Sequence, residues 1–395
     1  MGPHANAEPT ATEREPATLL VSFELSRKSW VLTIQHPGSC KLSRVTVPPC
    51  DTGKVLDVLM KHRQQVEQRT GGPVRIVSIY EAGLDGFWLH RWLTGQGTES
   101  QVVDFASILG PQRRRNAKSD RIDGEKLIRN LALWLAGDRQ VCRMVVPPSA
   151  EHEDSRRLSR ERGELVSERN RLSNRIGGLL ANQGVGGFKP MQKDAEAALE
   201  TLRTGDGQPL MANLKASIAR MLQRLALLTE QIKAVEAERD RLLHRPEADA
   251  GDEPVAAPAD TVAMGQRLLR LRGIGPEFAT VLPAECLYKR FDNRRQLGSF
   301  AGLTPTPWKS GGIDREQGIS KAGNRRLRKT MVELAWSWTR HQPGSALARW
   351  FGAKVAGQSG RVRRIAIVAL ARKLLVALWR YVHDGVVPDG AVLKG

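Results

Sequence analysis

Ser310 lies in a stretch of residues that could support chemistry on a phosphate. Its hydroxyl stands between a turn stiffened by prolines, residues 304–308, and the pair Gly311–Gly312, which would let backbone N–H groups approach a ligand closely. Ser320 could cap a following helix, so that a helix N-terminus faces an anion beside Ser310. We therefore expect a phosphate here, although a basic surface loop with an incidental serine is the alternative.

Cations surround this serine in the sequence and could neutralise the phosphate. Those that we predict to contact nucleic acid are Lys309, Lys321, Arg325, Arg326 and Arg328. No neighbour is an obvious general base, because the nearest histidine in the sequence is His341. Activation of the hydroxyl would therefore have to come from elsewhere, and bound metal ions are one source.

Four acidic residues occur at positions from which they could share metal ions. Glu24 lies on a predicted strand, Glu81 ends a second one, and Asp120 and Asp123 stand three residues apart in the first turn of a predicted helix. A ribonuclease-H-like fold uses acids in this order to bind two divalent cations, and carboxylate oxygens suit Mg²⁺ or Mn²⁺. The alternative for the two aspartates is that they only stabilise the helix dipole.

Composition favours a polyanionic partner. The chain has 395 residues, a net charge of +19 and a pI near 10.3, which predicts two or three domains and nucleic acid as the leading partner. No apolar run is long enough to span a bilayer, and the first residues lack the apolar core of a signal peptide, so we expect an intracellular protein without membrane association. The four cysteines lie too far apart for a zinc site or a disulfide framework, although Cys40 and Cys50 could pair.

The first part of the chain reads as an α/β unit. Residues 1–17 are predicted to be disordered, and residues 18–148 to form one domain. This domain opens with two β-runs separated by a turn at residues 36–39, and a helix capped by Asp51 follows. A basic loop then precedes the helix of Asp120, and its cations are Arg113, Arg114, Arg115 and Lys118.

Long helices follow. Leucines recur every seven residues from Leu158 to Leu179, and a second apolar periodicity runs from Leu214 to Leu242, which predicts a coiled-coil segment over residues 149–245. An intrachain antiparallel pair and an intermolecular coiled coil both fit this pattern. An acidic, proline-rich linker is predicted over residues 246–262.

A mostly helical domain is predicted for residues 263–395. It begins with a helix-hairpin-helix pattern, in which Gly273, Gly275 and the N–H groups beside them could hold a phosphate next to Arg272. The alternative is that the glycines only let two helices pack tightly. The last predicted helix, 361–382, carries a basic face that could contact a nucleic-acid backbone.

Successive motifs resemble the DEDD-type transposases of the insertion-sequence-110 family. They read VSFELSRKSW, YEAGLDG, KSDRIDGEKL, LRGIGPEFA, FAGLTPTPWKSGG and ISKAGNRRLRK. The resemblance implies a multidomain α/β plus α protein with a RuvC-like, ribonuclease-H-like domain, coiled-coil helices and a transposase domain. It further implies that Ser310 is the nucleophile and that Glu24, Glu81, Asp120 and Asp123 bind metal. The first of these acids is usually aspartate, and this chain has glutamate there.

The partners that the resemblance implies are donor DNA, target DNA and a structured non-coding bridge RNA that pairs with both. A dimer or tetramer formed through the coiled coil is expected. Two other functions remain open on the sequence alone, namely a RuvC-like structure-specific nuclease in which the serine is incidental and a non-catalytic nucleic-acid-binding protein.

Overall fold

The computed structural model describes residues 16–81, 83, 86–104, 107–108, 120–244, 259–310 and 313–394. Of residues 120–122, 259, 307–310 and 313–317 it describes the backbone without the side chains. The chain divides at Ser149 and Ala150 into two units. It is a mixed α/β protein with one six-stranded sheet, which lies in the first unit.

The sheet has the strand order β3-β2-β1-β4-β5-β6. Its strands are β1 (Ala17–Leu25), β2 (Trp30–Gln35), β3 (Leu42–Val47), β4 (Val74–Glu81), β5 (Glu99–Asp104) and β6 (Arg143–Val145). The first three strands are antiparallel neighbours, whereas β4 runs parallel to both β1 and β5. The sequence predicted two β-runs where the structure has three strands. The first run breaks because the Ser26 hydroxyl accepts from the N–H groups of Lys28 and Ser29, at 3.2 and 3.1 Å, and so closes a local turn.

Three helices cover the sheet, namely α1 (Thr52–Thr70), α2 (Trp88–Gly95) and α3 (Asp120–Leu135). Asp51 caps α1 as predicted, since its carboxylate accepts from Lys54 N at 3.0 Å. Side chains of α1 and α2 pack with Phe23 and Tyr80 on one face of the sheet. Residues of α3 pack with Val77 and Ile79 on the opposite face. One face of the sheet is therefore packed against α1 and α2, and the other against α3.

The second unit begins with α4 (Ala150–Asp154), α5 (Arg157–Ala181), α6 (Ala195–Thr201) and α7 (Ala212–Leu243). The ion pairs Arg162–Glu236 and Glu168–Arg224, at 2.6 and 3.2 Å, show that α5 and α7 run antiparallel within one chain. We call this pair the arm. Its buried α5 positions are Leu172, Ile176 and Leu180, which follow four-residue steps, whereas Leu179 of the predicted seven-residue repeat is half-buried. An intermolecular contact through the arm stays a prediction.

The remaining elements form a helical core that carries one hairpin. They are α8 (Ala259–Leu269), α9 (Pro276–Leu282), a π-helical turn (Pro283–Leu287), α10 (Arg294–Phe300), β7 (Pro305–Ser310), β8 (Ile313–Ile319), α11 (Arg325–His341), α12 (Ala346–Val355) and α13 (Gly360–Asp384). The core contains side chains from all of these helices, with Trp338 and Leu374 fully buried. α8 begins at Ala259, inside the segment predicted as linker.

All four cysteines are free; Cys40 and Cys50 are exposed, and Cys142 and Cys286 are buried. None of the described helices combines the length and apolar character that crossing a membrane would require.

Candidate active site

Two of the predicted metal-binding acids lie at the same end of neighbouring parallel strands, Glu24 as the last but one residue of β1 and Glu81 as the last residue of β4. Phe23 of β1 is paired with Tyr80 of β4, so Glu24 and Glu81 are the next residues of the two strands. Side chains alternate between the faces of a sheet, and paired residues of parallel strands lie on the same face. Ser22, two residues before Glu24, donates from its hydroxyl to Gly124 O at 3.1 Å. Both glutamates therefore lie on the face of the sheet that α3 covers.

Gly124 brings the first turn of α3 against Glu24. A Cβ atom on Gly124 would lie 2.4 Å from Glu24 Oε1 and 2.5 Å from Thr33 Oγ1. A larger residue at this position would therefore require the side chains of Glu24 and Thr33 to move. Asp123, the preceding residue, lies at the same end of α3, with Lys126 Nζ 3.9 Å from its Oδ1. The sheet and Gly124 thus place three of the four predicted acids at one edge of the sheet.

The four-acid group itself stays a prediction. The backbone of Asp120 begins α3, but its side chain lies outside the described side chains. Among the side chains that are described, no three histidine, cysteine, aspartate or glutamate residues are grouped closely enough to hold a metal ion. The predicted nucleic-acid loop with Arg113, Arg114, Arg115 and Lys118 also lies outside the described residues.

Ser310 ends the first strand of a two-stranded hairpin. It pairs with Ile313, and Gly311 and Gly312 lie between the two strands in the sequence. The proline-rich segment before Ser310 was predicted to be a turn, and this prediction is wrong, because Pro305–Ser310 forms β7. In a two-stranded ribbon both strands are edges, so prolines are tolerated there with one irregularity between Pro305 and Pro307. The side chains of Lys309 and Ser310 lie outside those described.

The base of the hairpin is fixed by backbone contacts. Ser320 N donates to Thr304 O at 2.8 Å, and Asn324 N donates to Phe300 O at 2.8 Å. A Cβ atom on Gly323 would lie 2.4 Å from Phe300 O, so the two chain segments approach as closely as glycine permits. The prediction that Ser320 caps the next helix is wrong. Asn324 is the N-cap of α11, and its Oδ1 accepts from Leu327 N at 3.0 Å.

A buried carboxylate holds this cap in place. Glu285, in the π-helical turn, has a side chain that is 1% exposed. It accepts two hydrogen bonds from Arg160 of α5, at 2.9 and 3.1 Å, and one from Asn324 Nδ2 at 2.9 Å. Burial alone raises the pKa of Glu285, but the hydrogen bonds from Arg160 and Asn324 outweigh it and hold the pKa below its ordinary value. One carboxylate thus joins the arm to the helix that follows the hairpin.

Two of the cations predicted to bind nucleic acid have structural partners instead. The Arg326 guanidinium donates to Ser159 O, lies 3.5 Å from Glu277 Oε1 and 3.9 Å from Glu285 Oε1. It therefore already has two carboxylate neighbours within the fold, and its assignment as a nucleic-acid contact stays a prediction. Arg328 Nη1 donates to Lys321 O at 3.0 Å and so stabilises the loop before α11. Lys321 and Arg325 are exposed, and their assignment stays a prediction.

The glycine turn predicted as a helix-hairpin-helix shows the close packing that was the alternative to phosphate binding. Gly273 has φ +85, and a Cβ atom on it would lie 2.7 Å from the Cβ of His341. The N–H of Ile274, one of the predicted phosphate donors, donates to Leu271 O at 3.2 Å. Gly275 serves as the N-cap of α9. Gly273 is thus explained by close packing against α11, and Arg272 is the exposed cation of the turn.

Sequence reasoning missed the residues that position the others, namely Gly124, Glu285 and Asn324. Asn324 could have been found, because asparagine directly before a run of helix-forming residues is typical of an N-cap. Gly124 directly follows the D-x-x-D motif, but it has no side chain that could have marked it as a functional residue. Glu285 is an acid within the apolar run LPAECL, and its partner Arg160 is remote in the sequence.

Known proteins resemble this chain over its whole length. Residues 265–350 match the family described as "Transposase IS116/IS110/IS902 family". A Sinorhizobium fredii (strain NBRC 101917 / NGR234) protein named "Putative transposase y4rJ" is 50% identical over 389 residues, which cover 98% of this chain and 97% of that protein. The chain belongs to this family of transposases. The transposase is also 27% identical over 296 residues to the "Transposase for insertion sequence element IS1328" of Yersinia enterocolitica, covering 73% of this chain and 80% of the relative.

A further relative of the transposase is the "Transposase for insertion sequence element IS1111A" of Coxiella burnetii, 28% identical over 327 residues that cover 81% of each chain. The family match includes the hairpin of Ser310, the buried Glu285 and the cap Asn324. Membership makes this protein an enzyme that acts on DNA. The geometry around Glu285 therefore belongs to the part of the transposase that the family model recognises.

We predict that Gly124→Ala disrupts the acid-bearing edge of the sheet. The added methyl would overlap Glu24 Oε1 and Thr33 Oγ1, and overpacking of this kind costs about 1–3 kcal/mol. Thermal unfolding should show a lower midpoint. Glu24→Asp in the same background should recover part of the loss, because it withdraws one of the two overlapping atoms.

Gly177→Ala in α5 is the matched control for Gly124→Ala. No atom lies within 4 Å of a Cβ atom at Gly177, so this change should be neutral or slightly stabilising. Equal effects of the two substitutions would show that the close approach at Gly124 is unimportant.

We also predict that Glu285→Ala destabilises the transposase by about 3–5 kcal/mol, because Arg160 and Arg326 lose a buried counter-charge. Because the folded-state pKa of Glu285 is lowered, its stabilisation is present above the unfolded-state pKa, about 4.3, and is lost as pH falls through the folded-state pKa. Urea unfolding followed by tryptophan fluorescence at several pH values measures both effects.

Glu285→Gln should cost less than Glu285→Ala and should weaken the acid dependence, since its amide keeps an acceptor for Asn324. Glu161→Gln, on the exposed side of α5, is the control and should change little. A Glu285→Ala protein as stable as the wild type would contradict the structural role of the carboxylate.

Proposed function

We propose that this transposase cuts and rejoins DNA through a covalent bond between Ser310 and a DNA phosphate, aided by two Mg²⁺ or Mn²⁺ ions bound by Glu24, Glu81, Asp120 and Asp123. The observation that carries the proposal is the parallel pairing of β1 with β4, which brings Glu24, the last but one residue of β1, and Glu81, the last residue of β4, to the same end of the sheet, where Gly124 of α3 lies against Glu24. The proposal further assigns a structured guide RNA as a partner.

The fold of the first unit supports a ribonuclease-H-like assignment. Three antiparallel strands followed by parallel strands, in the order β3-β2-β1-β4-β5, are compatible with that fold. A RuvC-like domain would use the ends of the two central strands and a following helix for its acids. The transposase has acidic residues at all three of these places.

The residue types of the four proposed ligands suit hard divalent cations. All the proposed ligands are carboxylate oxygens, which Mg²⁺ and Mn²⁺ prefer. Gly124 provides the clearance that Glu24 uses, so the extra methylene of this glutamate, where the family usually has aspartate, has space beside α3. When bound, the ions would supply positive charge at the scissile phosphate and lower the cost of deprotonating a hydroxyl.

The role of Ser310 is nucleophilic. Its Oγ would attack phosphorus, so that a serine–phosphate bond forms while the bond from phosphorus to one deoxyribose oxygen breaks and that oxygen leaves as a hydroxyl. Attack by a DNA hydroxyl on the serine phosphate then restores a phosphodiester and releases Ser310. The covalent link conserves the energy of the phosphodiester, so no nucleotide hydrolysis is required. The position of Ser310 directly before Gly311–Gly312 suits a close approach of phosphate.

The proposals of a guide RNA and of an oligomer rest on other observations. The resemblance implies a bridge RNA that pairs with donor and target DNA, and the net charge of +19 is consistent with a second polyanion. Assembly into a dimer or tetramer would use the arm. Because Ser310 and the acids belong to different units of the chain, such an assembly could bring the two from different protomers together.

The first test of this function is Ser310→Ala. It should eliminate recombination and any protein–DNA species that survives denaturing gel electrophoresis, because no other hydroxyl would replace the nucleophile. Binding of DNA and of the RNA transcribed from the flanking sequence should remain at wild-type affinity. Persistence of the covalent species would reject Ser310, and Ser299 and Ser320 would then be substituted in the same assay.

The second test concerns the acids. Asp120→Asn or Glu81→Gln should abolish Mg²⁺-dependent strand cleavage while DNA binding changes little, because phosphate contacts come from other residues. Glu24→Asp should keep or raise cleavage. Isothermal titration with Mn²⁺ provides a readout that does not depend on activity, and wild-type metal binding by Asp120→Asn would remove that residue from the site.

A further inference from the structure

The last helices of the transposase present a basic surface without counter-charges. From Leu334 to His383 the chain contains no aspartate or glutamate. Its nine basic residues in this span are Arg340, Arg349, Lys354, Arg361, Arg363, Arg364, Arg372, Lys373 and Arg380. The chain as a whole has 42 acidic residues, so their absence from this span is a local property of α12, α13 and the end of α11.

Contacts between cations and aromatic rings join these three helices. The Arg363 guanidinium lies 5.2 Å from the centroid of the Trp336 ring, and Lys373 Nζ lies 4.9 Å from that of Trp350. Trp336 in turn meets Phe351 edge-on, with 5.9 Å between centroids. We define the α12 surface as Trp336, Trp350, Lys354, Arg363 and Lys373, because the ring contacts connect α12 to α11 on one side and to α13 on the other.

The cations of the α12 surface differ from those that neutralise Glu285. Arg160 and Arg326 are paired with the buried carboxylate of this residue. Lys354, Arg363 and Lys373 are exposed, and among the described residues no carboxylate lies within ion-pair distance of them. Trp336 is 37% exposed, which is unusual for so large an apolar side chain. Arg160 and Arg326 thus have a neutralising carboxylate within the fold, whereas Lys354, Arg363 and Lys373 have none among the described residues.

We propose that the α12 surface binds the sugar–phosphate backbone of DNA at a site separate from the hairpin of Ser310. A row of cations without counter-charges attracts a polyanion by counter-ion release, and DNA is the polyanion on which a transposase acts. The aromatic rings hold the cationic groups in place before binding, so less side-chain entropy is lost when phosphates arrive. Contacts of this kind position the duplex and read no bases.

A second copy of the chain is a poorer occupant for the same surface. A two-fold contact would set the α12 surface against itself and place Arg363 and Lys373 near their own copies, which like-charge repulsion disfavours. Other polyanions, such as RNA or anionic lipid, share the charge complementarity, and the experiment distinguishes them from DNA.

The test uses the full-length Ser310→Ala protein, so that binding is measured without any covalent step. Arg363→Gln with Lys373→Gln should weaken binding to a duplex of arbitrary sequence about tenfold at physiological salt and should reduce the salt dependence by about two phosphate contacts. Lys41→Gln with Lys61→Gln also removes two exposed charges, but from the first unit, and should change affinity less than about twofold because neither lysine belongs to the α12 surface. An unchanged thermal midpoint checks that both variants fold.

The same two variants are measured with an RNA transcript of equal length and with vesicles of phosphatidylserine and phosphatidylcholine. Weaker DNA binding by the α12-surface variant, with the control unchanged, would support the proposal. Wild-type DNA affinity and salt dependence would overturn it, as would a loss confined to the RNA or to the vesicles. Because the readout is equilibrium binding and not cleavage, these outcomes do not depend on whether Ser310 is the nucleophile.

Discussion

A buried carboxylate is the constraint on which the second unit depends. Glu285 is almost completely removed from water, and a charge in that environment is tolerated only when it is paired and hydrogen-bonded. Arg160 and Asn324 donate those hydrogen bonds, and the guanidinium of Arg326 is a second positive charge close to the carboxylate. Since these partners come from the arm and from the start of α11, neither element can move independently without leaving a charge unpaired. The location of α11 relative to the arm is thereby defined by electrostatics as well as by packing.

This constraint reaches the proposed nucleophile through the backbone. Asn324 caps α11 with one side-chain atom and contacts Glu285 with the other, while its own N–H fixes the loop to Phe300. Thr304 and Ser320 close the base of the hairpin just beyond that loop. The hairpin of Ser310 is therefore attached to a rigid base, although in the described part of the chain β7 and β8 form strand pairs only with each other. A site built in this way can present a hydroxyl to a large substrate while its foundation stays in place.

Local features were predictable from the sequence, and long-range ones were not. Asp51 as a cap, β4 ending in Glu81 and the apolar face of α7 all follow from neighbours a few residues apart. The contact of Glu285 with Arg160 joins residues that are remote along the chain, and no local pattern records it. The turn at Ser26 and the strand before Ser310 were missed for another reason. At Ser26, a short-range hydrogen bond closes a turn inside a run of strand-forming residues. Before Ser310, prolines that favour a turn lie instead in a strand at the edge of a sheet.

The cations of this transposase show why charge alone does not identify a binding surface. Arg326 lies in the most basic stretch near Ser310, yet its guanidinium is used by Glu277, Glu285 and a carbonyl oxygen. Arg363 and Lys373 occur in a less conspicuous segment, where aromatic rings contact their charged groups and no carboxylate of the described residues pairs with them. An arginine whose charge is already neutralised within the fold gains little from a phosphate, because it would have to leave one anion for another. The absence of a neighbouring carboxylate, rather than the number of cations, is therefore what makes a basic surface available to nucleic acid.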